Sequence, residues 1–262
     1  MGKLDGKVAV VTGASKGMGR AIAALFAQEG ADVAVVARTR SELETLSRKI
    51  AGLGRKCLVC QTDITKEDEV DAMGKAVIKK FDRVDILVNA AGAIFGRGAY
   101  LHKFPAEDWD SIFNLNIRGM FLCTKLMLKS MLERRTGQII NIASIAGVSR
   151  GICRWVPYAA SKWAVVGFSK SLDQEVRRKG IKVSLICPGA SATYFGAHSY
   201  RRWAIPGKPE NRHLLSAEDV AQAALFIASQ RFYSMIDQVI MAPIGEEWNY
   251  VLGIRDDVKE PS

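Results

Sequence analysis

Long apolar runs are missing from this 262-residue chain. The N-terminal segment MGKLDGKVAVVTG turns apolar only at Val8 and is broken at Gly13, so neither a signal peptide nor a membrane span is expected. Gly2 invites a myristoylation reading, but Gly6 stands where that motif needs Ser or Thr. Cysteine is scarce and odd in number: Cys57, Cys60, Cys123, Cys153 and Cys187, four of them in predicted strands or helices. That usage points to reduced thiols and a cytoplasmic protein. Cys57 and Cys60 form a C-x-x-C, yet no second cysteine or histidine pair lies at zinc spacing, so they read as buried thiols and no metal is implied. The formal charge is +10, but no run of five Lys or Arg occurs, and the pairs Arg134-Arg135 and Arg177-Arg178 fall near predicted helix ends. Dispersed cations of this kind suit helix dipoles better than nucleic acid or a membrane surface. Repeats and low-complexity tracts are also absent.

What is present is a globular composition, 48% hydrophobic and 24% charged, at a length that suits one α/β domain. Short β-branched runs recur at 8–12, 33–37, 56–61, 84–89, 138–143, 182–187 and 237–242, separated by segments of helical period. Continuous apolar strands alternating with helices predict a doubly wound, Rossmann-type seven-stranded parallel sheet in a single domain. Ser41 to Glu44 reads as a capping box, and Ser216 as the cap of AEDVAQAALFIA. The irregular stretch of about 190 to 215 reads as a lid over a site, and the tail of about 245 to 262 carries no interpretable motif.

After the first strand comes TGASKGMG, with Gly13, Ser15, Lys16, Gly17, Met18 and Gly19 at a strand-to-helix turn. Glycines there let the backbone approach a pyrophosphate, whose charge then rests on the helix N-terminus. An NAD site usually has Asp or Glu at the end of the second strand, about 20 residues further on. Here that place reads Ala37-Arg38-Thr39-Arg40. A guanidinium fits a 2′-phosphate, and Lys16 adds a second cation, so the expected cofactor is NADP(H). Further along, Tyr158 and Lys162 of YAASK lie four apart at the start of a predicted helix and project from one face. An ammonium near a phenol favours phenolate, which suits acid/base work. Ser144 follows the fifth strand at its carboxyl end, where doubly wound sheets bind ligands.

With the glycine turn, these residues strongly resemble the short-chain dehydrogenase/reductase family from about residue 5 to 242. The matching elements are TGASKGMG, Asp63 in TDIT, NAAG from Asn89 to Gly92, Asn116 in NIRGMF, Ser144, YAASK, and PGASAT with Pro188, Gly189 and Thr193. The resemblance implies an oxidoreductase that interconverts a carbonyl and an alcohol by hydride transfer. Tyr158 would carry the proton, Ser144 would bond the reacting oxygen, and Lys162 would bind the nicotinamide ribose and lower the Tyr158 pKa. Asn116 would hold a water of the proton relay, Asp63 the adenine, and the PGASAT residues the carboxamide. It also implies a homo-oligomer, a tetramer or dimer, built on helices around 115–134 and 158–178. Two departures stand out: Ala90 replaces the second Asn of NNAG, and IDQVIMAPIGEEWNY replaces a glycine-rich VDGG ending. The second leans away from 3-oxoacyl-acyl-carrier-protein reductases, the runner-up, and towards small-molecule alcohol and aldehyde dehydrogenases. A nucleotide-sensing or nucleic-acid-binding protein is the non-enzymatic alternative, against which the intact Asn116, Ser144, Tyr158 and Lys162 argue.

Arg150, Arg154 and Trp155 lie just before Tyr158, and the lid adds His198, Arg201, Arg202, Trp203, Arg212 and His213 against one carboxylate, Glu210. This cation excess predicts a small substrate bearing a carboxylate, sulfonate or phosphate, with Arg154, Trp155 and Arg202 as its contacts.

Overall fold

Runs of Val, Ile, Leu and Ala become the strands of a computed structural model, which describes residues 2–95, 98–149, 152–193 and 214–243. The strands are β1 (Val8–Thr12), β2 (Asp32–Ala37), β3 (Cys57–Gln61), β4 (Ile86–Asn89), β5 (Gly137–Ile142), β6 (Ile181–Pro188) and β7 (Gln238–Met241). All pair in parallel, in the order β3-β2-β1-β4-β5-β6-β7. The winding direction reverses between β1 and β4. Crossover helices leave to opposite sides there, opening a crevice at the carboxyl ends of the strands.

Among the described residues seven helices lie between strands: α1 (Gly17–Gln28), α2 (Arg40–Gly52), α3 (Glu67–Phe81), α4 (Ala106–Phe113), α5 (Met120–Arg134), α6 (Val156–Val176) and α7 (Ala217–Ala228). Side chains alternate along each strand, so one run feeds two cores. Ala9, Val11, Val33 and Val35 pack with Ile22 and Phe26 of α1, Leu43 and Leu46 of α2, and Val220 and Leu225 of α7. Val10, Ala34 and Val36 pack on the other face with Val70 and Val77 of α3, Met127 and Met131 of α5, and Leu172 and Val176 of α6. The result is a single three-layer Rossmann-type domain, as the alternating sequence pattern predicts.

One predicted cap is misplaced. α2 starts at Arg40, with Thr39 extended before it and no side-chain cap bond, so Ser41 lies inside the first turn. Its expected partner Glu44 accepts instead from Arg40 Nε at 2.7 Å. Arg40 extends the helical period backwards, and an i,i+4 pair stabilises the turn without a box. Ser216 does cap α7: its Oγ accepts from Asp219 N at 3.1 Å, and Asp219 Oδ2 accepts from Ser216 N at 2.7 Å. The two ends of the stretch read as a lid lie among the described residues. Ser191 and Leu215 form an isolated parallel bridge, with Ala192 N donating to Leu215 O at 2.8 Å. Arg150, the interior of the predicted lid with Arg202, and the tail lie outside the described residues.

The opposite end of the sheet is held by one carboxylate. Asp85, before β4, accepts from Val8 N at 2.9 Å, Arg83 Nε at 3.1 Å and Arg134 Nη2 at 2.6 Å, tying β1 and the end of α5 to β4. Asp85→Ala strands three donors and is expected to cost about 2 to 3 kcal/mol, below the figure for a fully buried pair because both arginines stay partly hydrated. Ser216→Ala should cost about 1 kcal/mol. Urea unfolding of the two variants checks the order; a smaller loss for Asp85→Ala than for Ser216→Ala would contradict it.

Candidate active site

The glycine turn forms a cradle that a side chain would fill. Gly13 and Gly17 have φ of +69° and +58°, and a Cβ on Gly13 would lie 2.8 Å from the Ala91 backbone. A Cβ on Gly19 would lie 2.5 Å from Gly13 O. The N-terminus of α1 carries no side-chain cap and no acidic residue in its first turn, unlike α7. Open donors, a positive helix end and close backbone approach fit a dinucleotide pyrophosphate. Met18 packs its side chain against the α1 core, and Ser15 O accepts from Arg20 Nη1 at 3.3 Å. Thr193 is buried and lies over the same turn: a Cβ on Gly17 would be 3.5 Å from Thr193 Cβ. PGASAT therefore returns to the glycines from β6, with Gly189 N bonded to Met241 O at 2.7 Å.

At the end of β2, Arg38 is exposed, and among the described residues it has no ion pair. Lys16 pairs with Glu42 at 3.5 Å, and Arg40 with Glu44 at 2.7 Å. Burial pushes the Asp63 carboxyl up. Hydrogen bonds from Thr65 N and Oγ, at 3.0 and 2.8 Å, and the charges of Arg38 and Lys66 outweigh that and hold it below the usual range.

The carboxyl ends of β4 and β5 and the start of α6 bring the other predicted residues together. Lys162 is buried, and its Nζ donates to Ile142 O at 3.0 Å and lies 5.8 Å from the Tyr158 ring centroid. Desolvation pulls its pKa from 10.5 down to about 8, with Cys187 opposing the fall. Gly92 makes room for this arrangement, since a Cβ there would lie 3.3 Å from Asn116 Oδ1 and 3.6 Å from Lys162 Nζ. Ser144 is buried at the start of the short helical turn Ile145–Gly147; its Oγ accepts from Ala146 N at 3.2 Å and donates to Pro188 O at 3.5 Å. Tyr158 packs with Ile94, Ala146 and Trp155.

Comparison with known proteins agrees with this geometry. The family model described as short chain dehydrogenase matches residues 7–202. The chain belongs to the short-chain dehydrogenase family. Accordingly it is an oxidoreductase. It is 34% identical over 241 residues to a 3-oxoacyl-(acyl-carrier-protein) reductase of Thermotoga maritima, covering 91% of this chain and 96% of that one. It is 36% identical over 242 residues to dehydrogenase/reductase SDR family member 6 of Danio rerio, covering 87% and 92%. An alcohol dehydrogenase of Thermococcus sibiricus, solved with 5-hydroxy-NADP, superposes with TM-score 0.81 at 27% identity over 91% of this chain and 97% of that one. A metagenomic short-chain oxidoreductase solved with NADP superposes with TM-score 0.79 at 30% identity, over 93% and 100%.

In this short-chain dehydrogenase the Asn116 side chain is engaged by the protein. Oδ1 accepts from Ala93 N at 2.9 Å, and Nδ2 donates to Ala93 O and Ser161 Oγ, both at 3.1 Å. Asn116 lies in a π-helical turn, Asn114–Gly119, the kind of irregularity that recurs at functional sites. Ser161, missed by the sequence reading, donates in turn to Tyr158 O at 2.8 Å and so links Asn116 to the helix that carries Tyr158 and Lys162. Its signal was present in YAASK, but a serine on a helix face is ordinary until its partner is seen. Asn89 Nδ2 donates to Thr124 Oγ1 at 2.9 Å and to Asn141 Oδ1 at 2.8 Å, which fixes the end of β4 against α5 and β5. Arg154 is exposed at φ +65°; its carbonyl accepts from Ala99 N at 3.1 Å and its guanidinium lies 4.9 Å from the Tyr100 ring centroid. Trp155, at 2% exposure, is inside the wall beside Tyr158.

Burying the Lys162 ammonium costs stability. A fall from 10.5 to about 8 corresponds to up to about 3 kcal/mol. Lys162→Met is therefore expected to raise stability of the ligand-free protein at pH 7, where the lysine is charged in both folded and unfolded states. Between pH 8 and 10.5 the folded state loses its proton first, so the parent recovers and the difference narrows. Urea titrations at pH 7 and 10 check this; a parent more stable than the variant at pH 7 would show that the ammonium is net stabilising.

Proposed function

We propose that the protein interconverts a carbonyl and an alcohol on a small molecule using NADP(H), with Tyr158 as acid/base. The buried Lys162 ammonium beside the Tyr158 ring carries this reading, because a desolvated positive charge favours phenolate over phenol. Bound at this site, the nicotinamide would supply or accept the hydride. In reduction Tyr158 gives its proton to the substrate oxygen as that oxygen gains charge; in oxidation the phenolate takes it back. Ser144 Oγ bonds the same oxygen, Lys162 adds a bond to the ribose, and Asn116 braces the relay through Ser161. The cradle at Gly13, Gly17 and Gly19 would hold the pyrophosphate, and Arg38 the 2′-phosphate. NADP in one solved neighbour and 5-hydroxy-NADP in the other support that assignment.

Tyr158→Phe is expected to lower turnover at least about 100-fold, with NADPH binding, followed by its fluorescence, within a few-fold of the parent. Turnover within a few-fold of the parent would refute the acid/base role. The parent should prefer NADPH to NADH by more than about tenfold, and Arg38→Asp should abolish the preference. Equal efficiency with the two cofactors in the parent would count against the assignment.

The substrate read here carries an anionic group, recognised by Arg154 at the rim of the Tyr158 wall and by Arg202. A second reading, a 3-oxoacyl thioester on acyl carrier protein, is supported by the names of relatives from Thermotoga maritima and Synechocystis and by the basic balance of the chain. NADPH oxidation with matched keto acids and keto amides, beside acetoacetyl thioesters, separates the two. The acids should be favoured, and Arg154→Ala should narrow the gap; preference for the thioesters would replace the first reading with the second. We place the enzyme in the cytoplasm, as a homo-oligomer contacting through α5 and α6, whose Phe121 and Trp163 stand exposed.

A further inference from the structure

Arg38 follows the end of β2, Arg40 opens α2, and Lys16 lies in the glycine turn, which Ala14 N ties to Val36 O of β2 at 3.1 Å; the structure treats these three cations differently. Arg38 has no ion pair among the described residues, Arg40 is bound to Glu44 on its own helix, and Lys16, in the glycine turn, is bound across a gap to Glu42 of α2. The last pair is not an accident of two long side chains meeting. Arg20, half-buried on α1, donates through one nitrogen to Ser15 O at 3.3 Å and to Glu42 O at 2.8 Å. Arg20 thereby pins the main chain of the glycine turn to the first turn of α2. The residues next to those pinned points, Lys16 and the Glu42 side chain, are held facing each other.

We propose that Glu42 is a built-in competitor for the 2′-phosphate: by pairing with Lys16 and placing a negative charge beside the phosphate site, it weakens the hold on NADP(H). This rests on the NADP(H) reading above. A 2′-phosphate seated against Arg38 would draw Lys16 towards itself, and Lys16 must leave Glu42 to answer. The phosphate also meets the Glu42 carboxylate as a like charge. Both effects oppose binding of the phosphorylated cofactor and leave a cofactor without the 2′-phosphate untouched. Glu42 thus sets how strongly the enzyme discriminates, while Arg38 sets in which direction.

The size follows from exposure. Lys16 and Glu42 are both partly hydrated, so the pair is an ordinary surface one, and its removal should shift affinity about two- to fivefold. Glu42→Gln keeps the main-chain carbonyl that Arg20 binds, so the local frame survives the substitution.

Isothermal titration with adenosine 2′,5′-bisphosphate and with 5′-AMP reads the effect on binding without any turnover. Glu42→Gln should bind the bisphosphate about two- to fivefold more tightly than the parent, with 5′-AMP unchanged. Glu42→Asp, which keeps the charge, should stay close to the parent. In a Lys16→Ala background the gain from Glu42→Gln should shrink, and at 0.5 M salt it should fade because the charges are screened. Unchanged or weaker bisphosphate binding in Glu42→Gln would overturn the proposal, and so would an equal gain for 5′-AMP or an undiminished gain without Lys16. These failures are distinct from failure of the cofactor reading, which shows in the parent alone: a parent that binds both nucleotides equally overturns that reading and the competition with it.

Discussion

A lysine ammonium taken out of water at the carboxyl end of a parallel sheet is the constraint to which the neighbouring residues conform. The carbonyl of Ile142 is its hydrogen-bond acceptor, and among the described residues no carboxylate forms an ion pair with it. A charge so placed acts on its surroundings with little screening. The backbone comes close at Gly92, where a Cβ would lie 3.6 Å from the ammonium, and the helix that carries the lysine starts at a fixed height above the sheet. The Trp155 wall, the proline in the first turn of α6 and the Ser161 link to Asn116 all set that height.

The sheet explains how residues far apart in sequence reach one crevice. Each parallel strand delivers its last residue to the same edge: β1 leads into the glycine turn, β4 into Ala90–Ala93, β5 into Ser144 and β6 into Pro188. The candidate site residues therefore collect at one edge, while Asp85 and the arginines that clamp it hold the far end shut. Neither edge can slide, because alternate side chains of each inner strand are buried in different cores and a slip of one residue would exchange them.

Much of this was legible in advance, for identifiable reasons. Strands buried on both faces leave long β-branched runs, and the glycines, YAASK and PGASAT are local patterns, so the fold and the predicted set from Gly13 to Thr193 could be named before their contacts were known. What could not be read depends on distant partners. Ser161 acquires meaning from Asn116, 45 positions away, and Asp85 from Val8 and Arg134. Ser41 looked like a cap because helix starts are judged from a few letters, whereas the helix begins two residues earlier than that cap implies, at Arg40, which pairs with Glu44. Trp155 was read as a substrate contact by its place in the chain alone, and its packing beside Tyr158 and against Gly98, where a Cβ would lie 2.8 Å from its Nε1, could not be read there.

The five thiols differ in a way that makes the molecule convenient to interrogate. Burial raises the pKa of Cys57, and takes Cys60 and Cys123 to about 12 and Cys187 to about 11, so at neutral pH these four sulfurs are almost wholly protonated and poorly nucleophilic. Cys153 alone is exposed, one residue before Arg154 and its aromatic partner. A maleimide dye added to the unmodified protein would attach there first, giving a fluorescent reporter beside the Tyr158 wall without any engineered cysteine.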